Sequence, residues 1–176
     1  MDKGKFTFEL LDKNTPDIVI RDSLEQIEKE TKGYVIGNIE RYDGPVYSYT
    51  KQDGITAVME TLHTKTVTVD IQEDLGEQNL ERNKFEVFLT VKGLEHYKYR
   101  MMFVDYSTIS YPVTIIMNEE LASEYSGKRN DVFIIDSMKE LEEMMDTVIN
   151  SDKMVSRIQS LINESLRQES KSNFIK

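Results

Sequence analysis

The chain has 176 residues, no cysteine, two histidines and a formal charge of −10 at neutral pH. Without cysteine it has no disulfide framework, no thiolate zinc site and no cysteine nucleophile, and its acidity argues against a protein whose main task is neutralising phosphates. No run approaches the roughly 18 apolar residues of a membrane span, and Met1 to Lys5 leads into an alternating segment instead of an apolar signal core, so the sequence reads as a cytoplasmic protein with no membrane partner and no direct nucleic-acid partner.

Taken in chain order, Lys5 to Leu11 sets Phe6, Phe8 and Leu10 against Thr7 and Glu9, the period of a short strand. Thr15-Pro16-Asp17 supplies a cap residue, a proline at the first helical position and an acid in the first turn. A helix is therefore expected from Pro16, with Ile20, Leu24, Ile27 and Thr31 on its inner face and Gly33 at its end. Tyr34 to Tyr42 reads as a strand in which Gly37 marks a bulge or a close backbone approach. After the turn Asp43-Gly44-Pro45, Val46 to Thr50 reads as a tyrosine-rich strand and Asp53-Gly54 as a hairpin-type turn. Ile55 to Leu62 is ambiguous between strand and helix, Thr64 to Gln72 alternates as a strand with one wet face, and Glu73 to Asn83 is a loop.

From Phe85 to Met117 strand-like runs follow one another with almost no spacer. Phe85, Val87, Leu89 and Val91 alternate with polar residues, Phe88 being the exception. Past Gly93, Tyr97 to Tyr106 is aromatic and methionine-rich on both faces, as in a strand covered on two sides. Tyr111, Val113, Ile115 and Met117 alternate again, with Pro112 restricted to a strand start or an edge. Asn118 is placed to cap a short helix ending at Ser126-Gly127, and Asp131 to Asp136 encloses Val132-Phe133-Ile134-Ile135, which reads as a brief buried strand. Ser137-Met138-Lys139-Glu140 is a capping box. The helix it opens and the one that Ser151-Asp152 can cap are either two helices or one kinked helix, and the polar tail after Gln168 is expected to fray. The order of elements points to one α+β domain over residues 1–168, with 169–176 a frayed tail. Its expected architecture is a mainly antiparallel β-meander of six to eight strands, an N-terminal covering helix and a C-terminal helical pair.

The candidate chemistry is sparse. His63 and His96, with Glu60 and Glu95 near them, fall short of a zinc ligand pattern. Asp70, Glu73, Asp74 and Glu77 are the best hard-oxygen cluster for a divalent ion, but they lack the EF-hand spacing and read first as a solvated loop. No Gly-x-Ser-x-Gly elbow, P-loop or Gly-x-Gly-x-x-Gly run occurs. Tyr47 with Tyr49, and Tyr97 with Tyr99, share strand faces and suit either cross-strand packing or an aromatic contact surface.

No cofactor is implied. The leading expectation is a non-catalytic, protein-binding or regulatory module acting through a protein partner or through self-association. Its Lys, Glu, Ile and Asn-rich composition suggests a bacterial or phage source. The surface expected to carry association is the apolar face formed by Met144, Met145, Ile158, Leu161 and Ile162, because the meander already supplies much of a core. The alternative is a small divalent-metal-dependent hydrolase or nuclease built on Asp70, Glu73, Asp74 and Glu77.

Overall fold

The computed structural model describes residues 11–48 and 82–174. Helix α1 (Pro16–Glu30) is followed by strands β1 (Val35–Arg41), β2 (Asn83–Val91), β3 (Leu94–Tyr106) and β4 (Val113–Met117). Helix α2 (Glu119–Ser126), strand β5 (Val132–Ile135) and helices α3 (Met138–Ile149) and α4 (Asp152–Phe174) complete it. Among the described residues the strands form one antiparallel five-stranded sheet in the order β1-β2-β3-β4-β5. The fold is α+β, as its sequence pattern predicts.

Strand parity sorts the side chains between two faces. Val35, Val87, Leu89, Met102, Val104, Val113 and Ile115 are buried on the inner face, in register across the strands. Between Val87↔Met102 and Phe88↔Arg100 the register slips, so that β3 carries one extra residue, Met101. This bulge is why Met101 and its neighbour Met102 are both buried. Helix α1 lays Val19, Ile20, Leu24 and Ile27 on the core and packs against β1 and α3. Gly37 has the role of close approach: a Cβ placed there would stand 2.6 Å from Leu24 Cβ.

The helix ends largely follow their sequence signals. Ser137 Oγ accepts from the Glu140 N–H at 3.2 Å, while the Glu140 carboxylate accepts from the N–H of Asp136, one residue before the cap. Asn118 caps α2, and Gly127 ends it in the left-handed region at φ 64°. Thr15 departs from expectation, since its hydroxyl donates to Asp17 Oδ1 instead of accepting from the helix.

Other differences concern residues 46–48 and the C-terminal part of the chain. The C-terminal helices are two, separated at Asn150-Ser151. The tail expected to fray from Gln168 continues as helix to Phe174, aided by the ion pair between Glu169 and Lys92 at 3.3 Å. Residues 46–48 are not strand. Among the described residues the segment Val132 to Ile135 is an edge strand, with Ile134 67% exposed, because β4 is the one described strand beside it. Of the expected strand over Lys5 to Leu11 only Leu11 is among the described residues, and it is not strand; the expected strand over Thr64 to Gln72 and the ambiguous segment Ile55 to Leu62 lie outside them. No helix among the described residues is long and apolar enough to cross a membrane.

Candidate functional site

The association face expected from the sequence is placed inside the molecule. Met144, Met145 and Leu161 are buried, and Ile158 and Ile162 are half-buried against the same core. The two helices therefore do bring these side chains together, in the interior against α1, the sheet and each other. Asp70, Glu73, Asp74 and Glu77 lie outside the described residues. Among the described residues no group of three or more His, Asp or Glu side chains is placed to hold a metal ion. His96 and Glu95 are both exposed on β3.

The outer face of the sheet holds the more organised arrangement. Alternation puts Glu86 and Phe88 of β2 on this face, in register with Phe103 and Arg100 of β3. Glu86 is only 6% exposed, a position where a carboxylate persists only with partners. It has two: Lys98 Nζ donates to Oε1 at 2.6 Å, and Arg100 donates to Oε2 through Nε at 3.1 Å and Nη2 at 2.8 Å. Burial works to raise the Glu86 carboxyl, but the hydrogen bonds and charges of Lys98 and Arg100 outweigh it and hold the group below its ordinary value.

The same two cations cover aromatic rings. Lys98 Nζ stands 3.7 Å from the Phe88 centroid, and the Arg100 guanidinium lies 4.9 Å from that of Phe103. Tyr42, 4.9 Å from Phe103 between centroids, begins a segment that returns over this face. The Tyr42 N–H donates to the Lys84 carbonyl, its hydroxyl donates to the Pro45 carbonyl, and Lys84 Nζ donates to the Gly44 carbonyl. Ser48 then anchors the segment by donating to the buried Asp131 at 2.6 Å.

Between this segment, β3, β4 and the start of α2 is a groove of ≈ 450 Å³. Phe103 and Ile116 form part of its apolar lining, Arg100 and Asn118 supply donors, and Tyr47, 76% exposed, stands at its rim. Such a mixture of apolar lining with a few fixed polar groups is what recognition sites use. A smaller cavity of ≈ 330 Å³ lies between α2, α3 and the start of α4. There the Glu124 carboxylate accepts from the N–H groups of Asp152 and Lys153, both at 3.0 Å, so its charge already caps α4.

Of the tyrosine pairs, Tyr99 is buried under Arg157, whose guanidinium lies 5.0 Å from its ring and whose Nη2 donates to Glu120 at 3.0 Å. Tyr97 is 36% exposed, and Tyr49 lies outside the described residues. The Glu86, Lys98 and Arg100 cluster was not anticipated from composition or motif. Its one visible trace is Phe88, whose break in the alternation marks an outer face that is not simply wet.

No known family model, characterised protein or solved structure matches this chain.

Proposed function

We propose that the chain is a non-catalytic protein-binding module, acting by association through the outer face of its sheet. The observation that carries this reading is the groove of ≈ 450 Å³, with exposed Tyr47 at its rim and Arg100 held against Glu86 and Phe103. Tyrosine and arginine are the side chains that most often dominate interface energies. Arg100 is already fixed by a buried carboxylate, so little side-chain entropy remains to be lost when a partner docks. The acidic, cysteine-free composition fits a cytoplasmic regulator or inhibitor that stays soluble while presenting one local aromatic surface with Arg100, Glu119 and Asp131 in its lining.

The test is affinity capture from the native host with wild type, Tyr47→Glu and Arg100→Ala as baits, followed by binding assays with the purified captured protein. A stoichiometric partner that both variants bind at least tenfold more weakly, at unchanged melting temperature, is the expected result. Equal binding by all three baits would move the interface away from this groove. Mg²⁺-dependent turnover of phosphodiester or ester substrates, abolished by Asp70→Asn or Asp74→Asn, would replace the binding reading with the hydrolase.

A further inference from the structure

The two edges of the sheet are finished differently. At the β1 edge Thr31 Oγ1 both accepts from the Val35 N–H at 3.2 Å and donates to the Val35 carbonyl at 3.1 Å, and the strand ends in exposed Glu40 and Arg41. These are the usual devices that keep an edge from pairing: occupied backbone groups and charges. Among the described residues the β5 edge carries no charge along its run Val132-Phe133-Ile134-Ile135, and of its outward N–H groups only that of Val132 has a side-chain partner. The Met117 N–H donates to the Asp131 carbonyl at 2.8 Å, and the ladder continues through Ile115↔Phe133 and Val113↔Ile135. Residues 131, 133 and 135 therefore turn their backbone groups towards β4, and Val132 and Ile134 turn theirs outward. The Val132 N–H is met by Asn130 Oδ1 at 3.2 Å, while no strand among the described residues pairs with Ile134 on that side.

The charges flanking this run are arranged by sign. Lys128 precedes it and Asp136 and Glu140 follow it, all three exposed. If two β5 strands pair antiparallel about a two-fold axis, the basic end of each lies beside the acidic end of the other, and symmetry makes the match twice. A parallel pairing would set like charges together. Antiparallel pairing also brings Val132 opposite Ile134 of the second copy, with Phe133 at the axis, and covers the two exposed isoleucines.

We propose that the β5 edge is a self-pairing site, at which a second copy of this chain adds its own β5 antiparallel and joins two five-stranded sheets into one. This identifies the partner as a second copy and rests on the association reading above, but not on the groove.

Sedimentation of wild type over a wide concentration range, beside Ile134→Lys, is the direct test. Wild type is expected to convert from monomer to dimer with rising concentration, and Ile134→Lys to remain a folded monomer with an unchanged far-UV spectrum. Lys128→Glu and Asp136→Lys should each weaken dimerisation roughly two- to twenty-fold, as two exposed ion pairs would, and the double variant should recover it. The Ile134 amide should gain hydrogen-exchange protection in step with the dimer fraction. A wild type that stays monomeric at every concentration overturns the proposal. So does an Ile134 amide protected equally at all concentrations, which would mean an occupant from within the chain. A monomeric wild type that still captures a partner through Tyr47 would sink self-pairing alone and leave the groove intact, while partner capture lost only in Ile134→Lys would assign the edge to a different protein.

Discussion

Arg100 binds a single oxygen of Glu86 through two of its nitrogens, Nε at 3.1 Å and Nη2 at 2.8 Å. With Lys98 on the other oxygen, the buried carboxylate holds in place two neighbouring cations that would otherwise repel each other. Glu86→Gln keeps the shape and removes the charge. It should lower stability by about 1–3 kcal/mol, the range for hydrogen bonds to charged groups and for stranding a buried polar partner. Denaturant midpoints at neutral pH measure this. Arg100→Ala leaves Lys98 to satisfy one carboxylate oxygen, so it should cost less than Glu86→Gln, and a larger loss would mean that Arg100 is held mainly by its packing on Phe103.

The acid limb of stability should trace to Glu86 and Asp17. Burial tends to raise the Asp17 carboxyl, but hydrogen bonds from Thr15 and Tyr106, each 2.6 Å long, outweigh it and hold the group below its ordinary value. Both carboxyls are thus lower in the folded than in the unfolded chain, so their contribution is complete above the ordinary carboxylate range and lost as pH falls through the folded values. Tyr106→Phe removes one of the donors to Asp17. Urea midpoints from neutral pH downward should fall less steeply in Tyr106→Phe and in Glu86→Gln than in wild type. An acid limb identical in all three proteins would assign the loss to other groups. Tyr111 is pushed up to about 12, by burial first and then by the charges of Asp12, Glu142 and Asp17, so it should stay protonated until strongly alkaline pH.

Gly37 should not tolerate alanine. The added Cβ would meet Leu24 at Cβ, Cδ2 and Cγ, at 2.6, 2.9 and 3.1 Å. Because the nearest atom is a Cβ fixed to the α1 backbone, relief requires the helix itself to move. Overpacking of this kind costs about 1–3 kcal/mol, which thermal and urea unfolding of Gly37→Ala would register. A neutral result would show that α1 slides freely on β1.

The capping box invites a smaller and more local test. Ser137→Ala removes the acceptor for the Glu140 N–H, and the expected loss is about 1 kcal/mol. The Asp12 carboxylate, which accepts from the Met138 N–H at 2.7 Å, still serves the first turn in that variant. Ser137→Ala and Asp12→Ala should therefore be more than additive when combined, as a double-mutant cycle would reveal.

What the sequence made legible follows from how local each signal is. Alternation in Phe85 to Met117, the capping box, the Asn118 cap and the Gly127 terminus are fixed by neighbours in sequence, and each is found where its pattern puts it. The close approach at Gly37 was legible as one of two options, since a strand glycine signals either a bulge or a near backbone, and only the position of Leu24 decides. The status of β5 was not legible, because four apolar residues look alike in a central strand and at an edge, and only the strand order distinguishes them. The Glu86 cluster depends on pairing across β2 and β3 with a bulge at Met101, a register shift that no periodicity reveals. The C-terminal stripes are legible as apolar, but how much surface α1, the sheet and α2 leave for them to cover depends on packing that no local pattern carries.

That last point makes the sharpest prediction. Met145 is wholly buried and Leu161 is 6% exposed, so both act in the core of a single chain. Met145→Ala and Leu161→Ala should each lower stability by about 2–5 kcal/mol, the cost of a cavity in a packed interior. Met145→Glu and Leu161→Glu should do worse, since each would bury a carboxylate with no partner, and both are expected to unfold or to melt far below wild type. Ile134→Glu, by contrast, adds its charge at a side chain 67% exposed and should keep the wild-type melting temperature under conditions where the chain is monomeric. Circular dichroism melts of the three glutamate variants decide the matter. If Met145→Glu and Leu161→Glu melt like wild type while converting an oligomer to a monomer, these side chains face a partner and not the core of a single chain.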